Sequence, residues 1–168
     1  MLQQIKRNPL VRRVVLGGVI AAAYAVLCLL LQPISFEAVQ FRLSEALCIL
    51  PLFFPEAVAG LFVGCLLSNL LGGVGILDIV FGSLATLLAA WATRRLRRFP
   101  LLALLPPVLV NAVVIGLVLY YAAGTPLLAG MGSIFVSQAA VCYLVGYPLY
   151  LLLRRYRFFQ TEQTEQKN

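Results

Sequence analysis

Histidine is absent from this sequence and charged residues are scarce. Only 11% of the 168 residues are charged, whereas 62% are hydrophobic. The core of a soluble domain of this length is too small to bury so much apolar surface. The composition therefore excludes an ordinary soluble domain and predicts an integral membrane protein.

Motifs for familiar catalysis are also missing. The chain has no phosphate-binding GxxxxGK[ST] loop, no dinucleotide fingerprint, no nucleophile elbow and no histidine for a zinc site or a general base. Its four cysteines lie in apolar stretches without a CxxC pair, which indicates packing residues: Cys28, Cys48, Cys65 and Cys142. We expect no enzyme activity, no cofactor and no metal site.

The net charge of +7 comes from basic clusters at the ends of apolar runs. These clusters lie at Lys6–Arg13, Arg94–Arg98 and Arg154–Arg157, without the aromatic interleaving or fold motifs of nucleic-acid-binding proteins. Basic residues mark the cytoplasmic side of membrane proteins, so we expect all three clusters, and both termini, in the cytoplasm. An even number of spans must then separate neighbouring clusters.

Six helices satisfy this rule, so the predicted fold is an all-α membrane protein with a six-transmembrane-helix bundle. The expected helices are about Val14–Leu31, Arg42–Phe54, Glu56–Leu71, one starting at Asp78, Leu101–Tyr121 and Leu127–Leu153, with outside connections at Ser35–Gln40 and Ala122–Pro126. The second and third are short enough to be re-entrant or tilted instead. The expected organisation is a basic cytoplasmic N-terminus (1–13), the transmembrane domain (14–157) and a disordered cytoplasmic tail (158–168).

Polar side chains inside predicted membrane helices are candidates for function, because burying them in hydrocarbon is costly. The four that are expected near the outer surface are Arg42, Glu45, Asn69 and Asp78. The two that are expected about 15 Å below it are Asn111 and Gln138. This distribution predicts a pocket open to the outside. Carboxylates and amides together suit a planar, nitrogen-rich ligand.

Each of these residues also has a purely structural interpretation. Arg42 and Glu45 can form an ion pair three residues apart on one helix. Asp78 can cap its helix, and Asn69 can close the end of its own. Asn111 and Gln138 can form hydrogen bonds between helices.

The first helix carries a face of small side chains. Gly17, Ala21 and Ala25 recur every four residues, which allows another helix to approach closely. That helix can belong to the same chain or to a partner membrane protein.

Three strings in this order resemble the QueT family: VQFRLSEAL at 39–47, GLFVGC at 60–65 and LDIVFGSLATL at 77–87. The similarity runs from the first helix to Pro148. QueT proteins are substrate-binding S components of energy-coupling factor transporters. The family pattern has a glutamate ahead of the VCYLVGYP stretch, where this chain has Gln138.

The resemblance implies a bacterial, multi-pass cell-membrane protein that captures 7-aminomethyl-7-deazaguanine or a related deazapurine from outside. A transmembrane coupling subunit and two cytoplasmic ATPases would drive uptake, and Ala21 and Ala25 match the small-residue pattern that contacts the coupling subunit in related S components. Two alternatives stay open: an S component for a different vitamin, and a structural membrane subunit that binds no small molecule.

Overall fold

A computed structural model describes residues 9–31 and 41–165, with side chains for 10–31 and 41–156. The predicted outside connection at 35–40 and residues 1–8 and 166–168 lie outside these ranges. Within the described ranges the secondary structure is helical and contains no strand. The predicted all-α class is confirmed.

The helical segments follow one another in a simple order. They are α1 (Pro9–Leu30), a 3₁₀ helix (Leu43–Leu52), α2 (Ala57–Leu71), a first π-helix (Asp78–Gly82), α3 (Ser83–Arg95), a 3₁₀ turn (Leu102–Leu104), α4 (Leu105–Ala123), α5 (Leu127–Ala140), a second π-helix (Val141–Gly146) and α6 (Tyr147–Glu165). Because the two π-helices and the 3₁₀ turn continue directly into neighbouring α-helices, the described chain forms six helical runs.

Three of these runs are long and apolar enough to cross a membrane in the part of the chain that the structure describes. They are Leu10–Leu30, Leu102–Ala123 and Leu127–Tyr156, whereas Leu43–Leu52 and Ala57–Leu71 are shorter apolar helices. Large apolar side chains such as Val19, Leu128 and Leu144 lie on the outer surface. An apolar exterior of this kind is covered by lipid in a membrane protein.

The 3₁₀ helix Leu43–Leu52 lies at the centre of the bundle. It packs against α1, α2, α3, the second π-helix and α6. Sequence analysis predicted an ordinary short helix here, but a 3₁₀ helix rises about 2.0 Å per residue rather than 1.5 Å. Its ten residues therefore extend about 20 Å, which is further than an α-helix of the same length.

Small residues bring α1 and α2 into close contact. A methyl group added at Gly60 would lie 2.6 Å from the Gly17 carbonyl oxygen, so the two backbones almost touch. Ala21 and Ala25 are buried on this face. Ala21 packs against Gly64 of α2 and also lines the groove at this contact. The docking of a partner protein at Gly17, Ala21 and Ala25 stays a prediction. Gly17 stays half-buried at a surface groove of about 420 Å³ between α1 and α2.

Basic residues of the predicted cytoplasmic face also hold helices together. Arg13 on α1 forms an ion pair with Glu56 at the start of α2, with 3.3 Å between Nε and Oε1. Arg94 on α3 donates Nη1 to the carbonyl oxygens of Pro51 at 2.9 Å and Leu52 at 3.3 Å, which are the last residues of the 3₁₀ helix. Arg94 thus satisfies carbonyl groups that a helix end leaves open.

The backbone of α6 continues to Glu165. The helical backbone thus includes residues 158–165, which belong to the predicted cytoplasmic tail, and the bounds of that tail stay a prediction. Gln and Glu are good helix formers, and this stretch contains several of both, so it can prolong the apolar helix that precedes it.

Candidate functional site

Polar side chains gather inside the bundle, where an unsatisfied polar group would be costly. Five of the six predicted site residues are buried: Arg42, Glu45, Asn69, Asn111 and Gln138. Asp78 is half-buried at the start of the first π-helix.

The Glu45 side chain lies in the first turn of the 3₁₀ helix and is only 1% exposed. The Tyr24 hydroxyl group of α1 donates a hydrogen bond to Oε1. Cys48 Sγ and Asn111 Nδ2 both donate to Oε2, at 3.1 Å and 3.3 Å. Donors from three helical runs therefore converge on one buried carboxylate, in an arrangement that favours an anionic acceptor at this point.

Glu45 lies against the middle of two other helices rather than at their ends. It contacts Tyr24, which is six residues or about 9 Å before the end of α1, and Asn111, which is 12 residues or about 18 Å before the end of α4. Glu45 is thus level with Asn111 along the bundle, and its distance from the outer surface stays a prediction. Tyr24 and Asn111 donate hydrogen bonds to the Glu45 carboxylate from two helices, which stabilises this carboxylate inside the bundle.

A second part of the cluster centres on Cys65 of α2. Its Sγ accepts hydrogen bonds from Thr86 Oγ1 at 3.3 Å, Asn69 Nδ2 at 3.6 Å and Arg42 Nη1 at 3.9 Å. Three polar side chains from three helical segments thus meet at one sulfur atom. Arg42 directs this nitrogen at Cys65, while the hydrogen bonds described for the Glu45 carboxylate come from other residues.

Asn69 connects the end of α2 with the first π-helix. Its Nδ2 donates to the Asp78 carbonyl oxygen at 3.0 Å, so it bridges two segments instead of closing its own helix. The Asn69 Oδ1 atom is buried and has no hydrogen-bond partner among the described residues. A buried acceptor without a partner is a place where a donor from a ligand or a water molecule would be stabilising.

Gln138 of α5 reaches the cluster through Cys142. The Cys142 Sγ atom lies 4.0 Å from both Gln138 Oε1 and the Glu45 carbonyl oxygen. Both contacts are long, so Gln138 forms the weakest connection of the six predicted residues. The contacts thus connect Asn111 and Gln138 with Glu45. They also connect Asn69 with Arg42 through Cys65, whereas Asp78 joins by its main-chain carbonyl group.

Non-α segments supply much of this site. Glu45 is in the 3₁₀ helix, Asp78 begins the first π-helix and Cys142 is in the second. Long 3₁₀ helices are uncommon, and π-helical turns occur frequently at functional sites. Among the described residues, no group of three or more cysteine or acidic side chains is arranged to hold a metal ion.

Sequence analysis missed Tyr24 and misjudged Cys65. Tyr24 is fully buried, and a buried tyrosine hydroxyl needs a partner, so its position within the small-residue face of α1 was the available signal. Cys65 is buried as expected, but it accepts polar contacts as well as filling space. No sequence pattern separates such a cysteine from the other three.

Both carboxylate oxygen atoms of Glu45 accept hydrogen bonds from neighbouring side chains, whereas Asn69 Oδ1 has no partner among the described residues. Two grooves lined by described residues lie away from the cluster. One is between α1 and α2 at Gly17, and one is an apolar groove of about 480 Å³ beside Phe81 and Tyr121. Chemically, the cluster offers a carboxylate, a guanidinium group and three amides, which together accept and donate hydrogen bonds to a polar heterocycle.

Comparison with known proteins identifies relatives of this chain. The family model described as "QueT transporter" matches residues 14–155. The "Queuosine precursor transporter QueT" of Lactococcus lactis subsp. cremoris (strain MG1363) is 33% identical over 72 residues, which is 42% of this chain and 42% of that protein. The match thus spans less than half of that relative. No solved structure matches the chain.

The matched range contains every residue of the buried polar cluster, from Tyr24 to Cys142. It also contains α2 to α5 complete, most of α1 and the first part of α6. The chain belongs to the QueT transporter family.

Proposed function

We propose that the protein is the substrate-binding S component of an energy-coupling factor importer that captures a queuosine precursor, 7-aminomethyl-7-deazaguanine or a related deazapurine, from outside the cell. Membership of the QueT transporter family and the printed name of the lactococcal relative support a transport role for such a precursor. The observation that carries the ligand assignment is the buried Glu45 carboxylate.

Glu45 suits a deazaguanine because this ring presents N–H donors side by side. A carboxylate with two oxygen atoms can accept from the ring N1–H and the exocyclic amine together. Arg42 and the amides of Asn69 and Asn111 would read the remaining acceptor edges. Asp78, and Gln138 in the place of the family's glutamate, are proposed to contact the aminomethyl end of the ligand.

The proposed topology has six crossings in a bacterial cell membrane, with both termini in the cytoplasm. Six helical runs support it, and the 3₁₀ geometry supports it further, since it lengthens the shortest run to about 20 Å. The basic residues Arg13 and Arg94 lie at the ends of runs that the positive-inside rule assigns to the cytoplasm. The chain hydrolyses nothing in this proposal.

The proposed partners are a transmembrane coupling subunit and two cytoplasmic ATPases. Docking of the coupling subunit would use the small-residue face of α1 at Gly17, Ala21 and Ala25, where Gly17 and Ala21 line a surface groove beside α2. A Gly17→Leu variant should bind ligand normally but lose co-purification with the coupling subunit. Co-purification equal to that of the native chain would contradict this docking face.

Ligand titration of the detergent-purified protein tests the function. Saturable binding of 7-aminomethyl-7-deazaguanine, 7-cyano-7-deazaguanine or guanine is expected, and Glu45→Gln should weaken it at least about tenfold because a charge-assisted pair is lost. Glu56→Gln is the matched control, since Glu56 pairs with Arg13 away from the cluster. Asp78→Asn should also weaken binding.

The closed hydrogen-bond network around Glu45 favours one competing function, a structural membrane subunit that binds no small molecule. In that case Glu45→Gln would lower the thermal stability, while no deazapurine would bind to the native chain. Absence of binding to folded, monodisperse protein would overturn the proposed ligand. Binding of another vitamin instead would keep the S component and replace its substrate.

A further inference from the structure

The two oxygen atoms of Glu45 have different surroundings. Oε1 accepts from Tyr24, a hydroxyl donor on α1. Oε2 accepts from the Cys48 thiol at 3.1 Å and from the Asn111 amide at 3.3 Å. A thiol is a weak donor, and 3.3 Å lies beyond the usual range for an amide donor. The carboxylate is therefore held firmly on one side and loosely on the other.

Tyr24 is fixed in place by the packing of α1 on α2. A methyl group added at Gly64 would lie 2.8 Å from the Tyr24 Cβ atom, so the start of this side chain is already against the α2 backbone. The Tyr24 side chain is fully buried. Its hydroxyl group is thus held at a defined position by two helices, independently of Asn111 on α4.

We infer that Tyr24 is a positioning residue that fixes the Glu45 carboxylate for ligand recognition, while Asn111 occupies Oε2 in the empty site and yields it to an N–H donor of the ligand. This inference rests on the proposed function. Exchange at Oε2 replaces one long hydrogen bond by a shorter one, whereas exchange at Oε1 would require Tyr24 to leave a closely packed position.

The effect of a Tyr24 substitution on two related ligands tests this inference, because loss of a purely structural contact would weaken the binding of both ligands equally. A Tyr24→Phe variant keeps the ring but loses the donor, so Glu45 is no longer held in line with the ligand's N–H groups. Binding of 7-aminomethyl-7-deazaguanine should weaken about tenfold. Binding of its analogue without the exocyclic amine should weaken clearly less, because a single N–H···O hydrogen bond depends less on the orientation of the carboxylate than a pair of parallel hydrogen bonds does.

Tyr143→Phe is the matched control. The Tyr143 hydroxyl group donates to the Leu101 carbonyl oxygen at 3.0 Å, outside the cluster, so its loss should leave both affinities unchanged. Equal weakening of both ligands by Tyr24→Phe, or no weakening of either, would overturn the inference. Failure of the native chain to bind either ligand would instead contradict the proposed function.

A second measurement applies if Tyr24→Phe does not fold. Protein labelled with 3-fluorotyrosine should show a buried tyrosine ¹⁹F resonance that shifts in Glu45→Gln, because the hydrogen-bond acceptor changes. Ligand binding should leave this resonance near its position in the native chain, since Tyr24 stays on Oε1. A large shift on ligand binding would show that Tyr24 leaves Glu45 and would overturn the inference.

Discussion

Gly64 of α2 lies directly against Ala21 of α1: a methyl group added at position 64 would stand 2.7 Å from the Ala21 carbonyl oxygen. Gly64→Ala must therefore push the two helices apart, since a backbone atom cannot yield as a flexible side chain can. We expect the free energy of unfolding to fall by about 1–3 kcal/mol. Thermal unfolding of the purified protein, followed by circular dichroism, measures this loss.

Gly132→Ala is the control for this substitution. Gly132 is exposed in α5, and an added methyl group there meets no atom within 4 Å. Alanine has a higher helix propensity than glycine, so stability should stay equal or rise slightly. Equal unfolding temperatures for Gly64→Ala and the native chain would show that the α1–α2 contact is looser than the structure indicates.

Arg94→Ala should destabilise the 3₁₀ helix. The substitution removes the donor of two hydrogen bonds and leaves the partly buried carbonyl groups of Pro51 and Leu52 without it. A loss of about 1–3 kcal/mol is expected in the free energy of unfolding. Arg97→Ala, at an exposed position of the same basic cluster, should have little effect. Similar losses for both variants would indicate a general effect of charge.

Cys65→Ala and Cys65→Ser should differ. Alanine removes the acceptor on which Thr86, Asn69 and Arg42 converge, whereas serine keeps an acceptor atom at nearly the same place. We expect Cys65→Ala to lower the unfolding temperature and weaken ligand binding clearly more than Cys65→Ser. Equal behaviour of the two variants would mean that Cys65 only fills space.

Cysteine labelling should establish the topology, because the four native cysteines are buried and give little background. Ala122→Cys and Arg97→Cys introduce exposed thiols at opposite ends of the long apolar helix 102–123, the first in its last turn and the second just before its start. In intact cells, a membrane-impermeant maleimide should label Ala122→Cys and not Arg97→Cys, which should react only after the membrane is opened. The reverse pattern would invert the proposed orientation.

Sequence patterns predicted the helical class and most helix positions because long apolar runs and breakers are local signals. The predicted helix 101–121 corresponds to the 3₁₀ turn and α4, and Gly124 ends α4 in the left-handed conformation that glycine adopts readily. The 3₁₀ helix and the two π-helices could not be predicted. Their geometry depends on packing in the centre of the bundle, and residue composition does not distinguish them from α-helix.

Site residues with a charged or an amide side chain could be identified from the sequence. Arg42, Glu45 and Asn111 stand out in an apolar sequence because their burial is costly. Their depth and their partners were not predictable, since these depend on which helices meet. Tyr24 was missed because a tyrosine in an apolar helix is usually a packing residue, and only the contact with Glu45 reveals its role.

The 3₁₀ geometry of Leu43–Leu52 has a consequence for how this segment can vary in evolution. A 3₁₀ helix has three residues per turn, so Glu45, Cys48 and Pro51 form a straight column about 6 Å apart, and all three are buried. A substitution changes only one side chain of this column. Loss or gain of a single residue would rotate every following side chain by about 120° around the helix axis, and the later side chains of the column would then no longer face the helices that they contact. We therefore expect relatives to vary this segment by exchange of side chains while keeping its length constant.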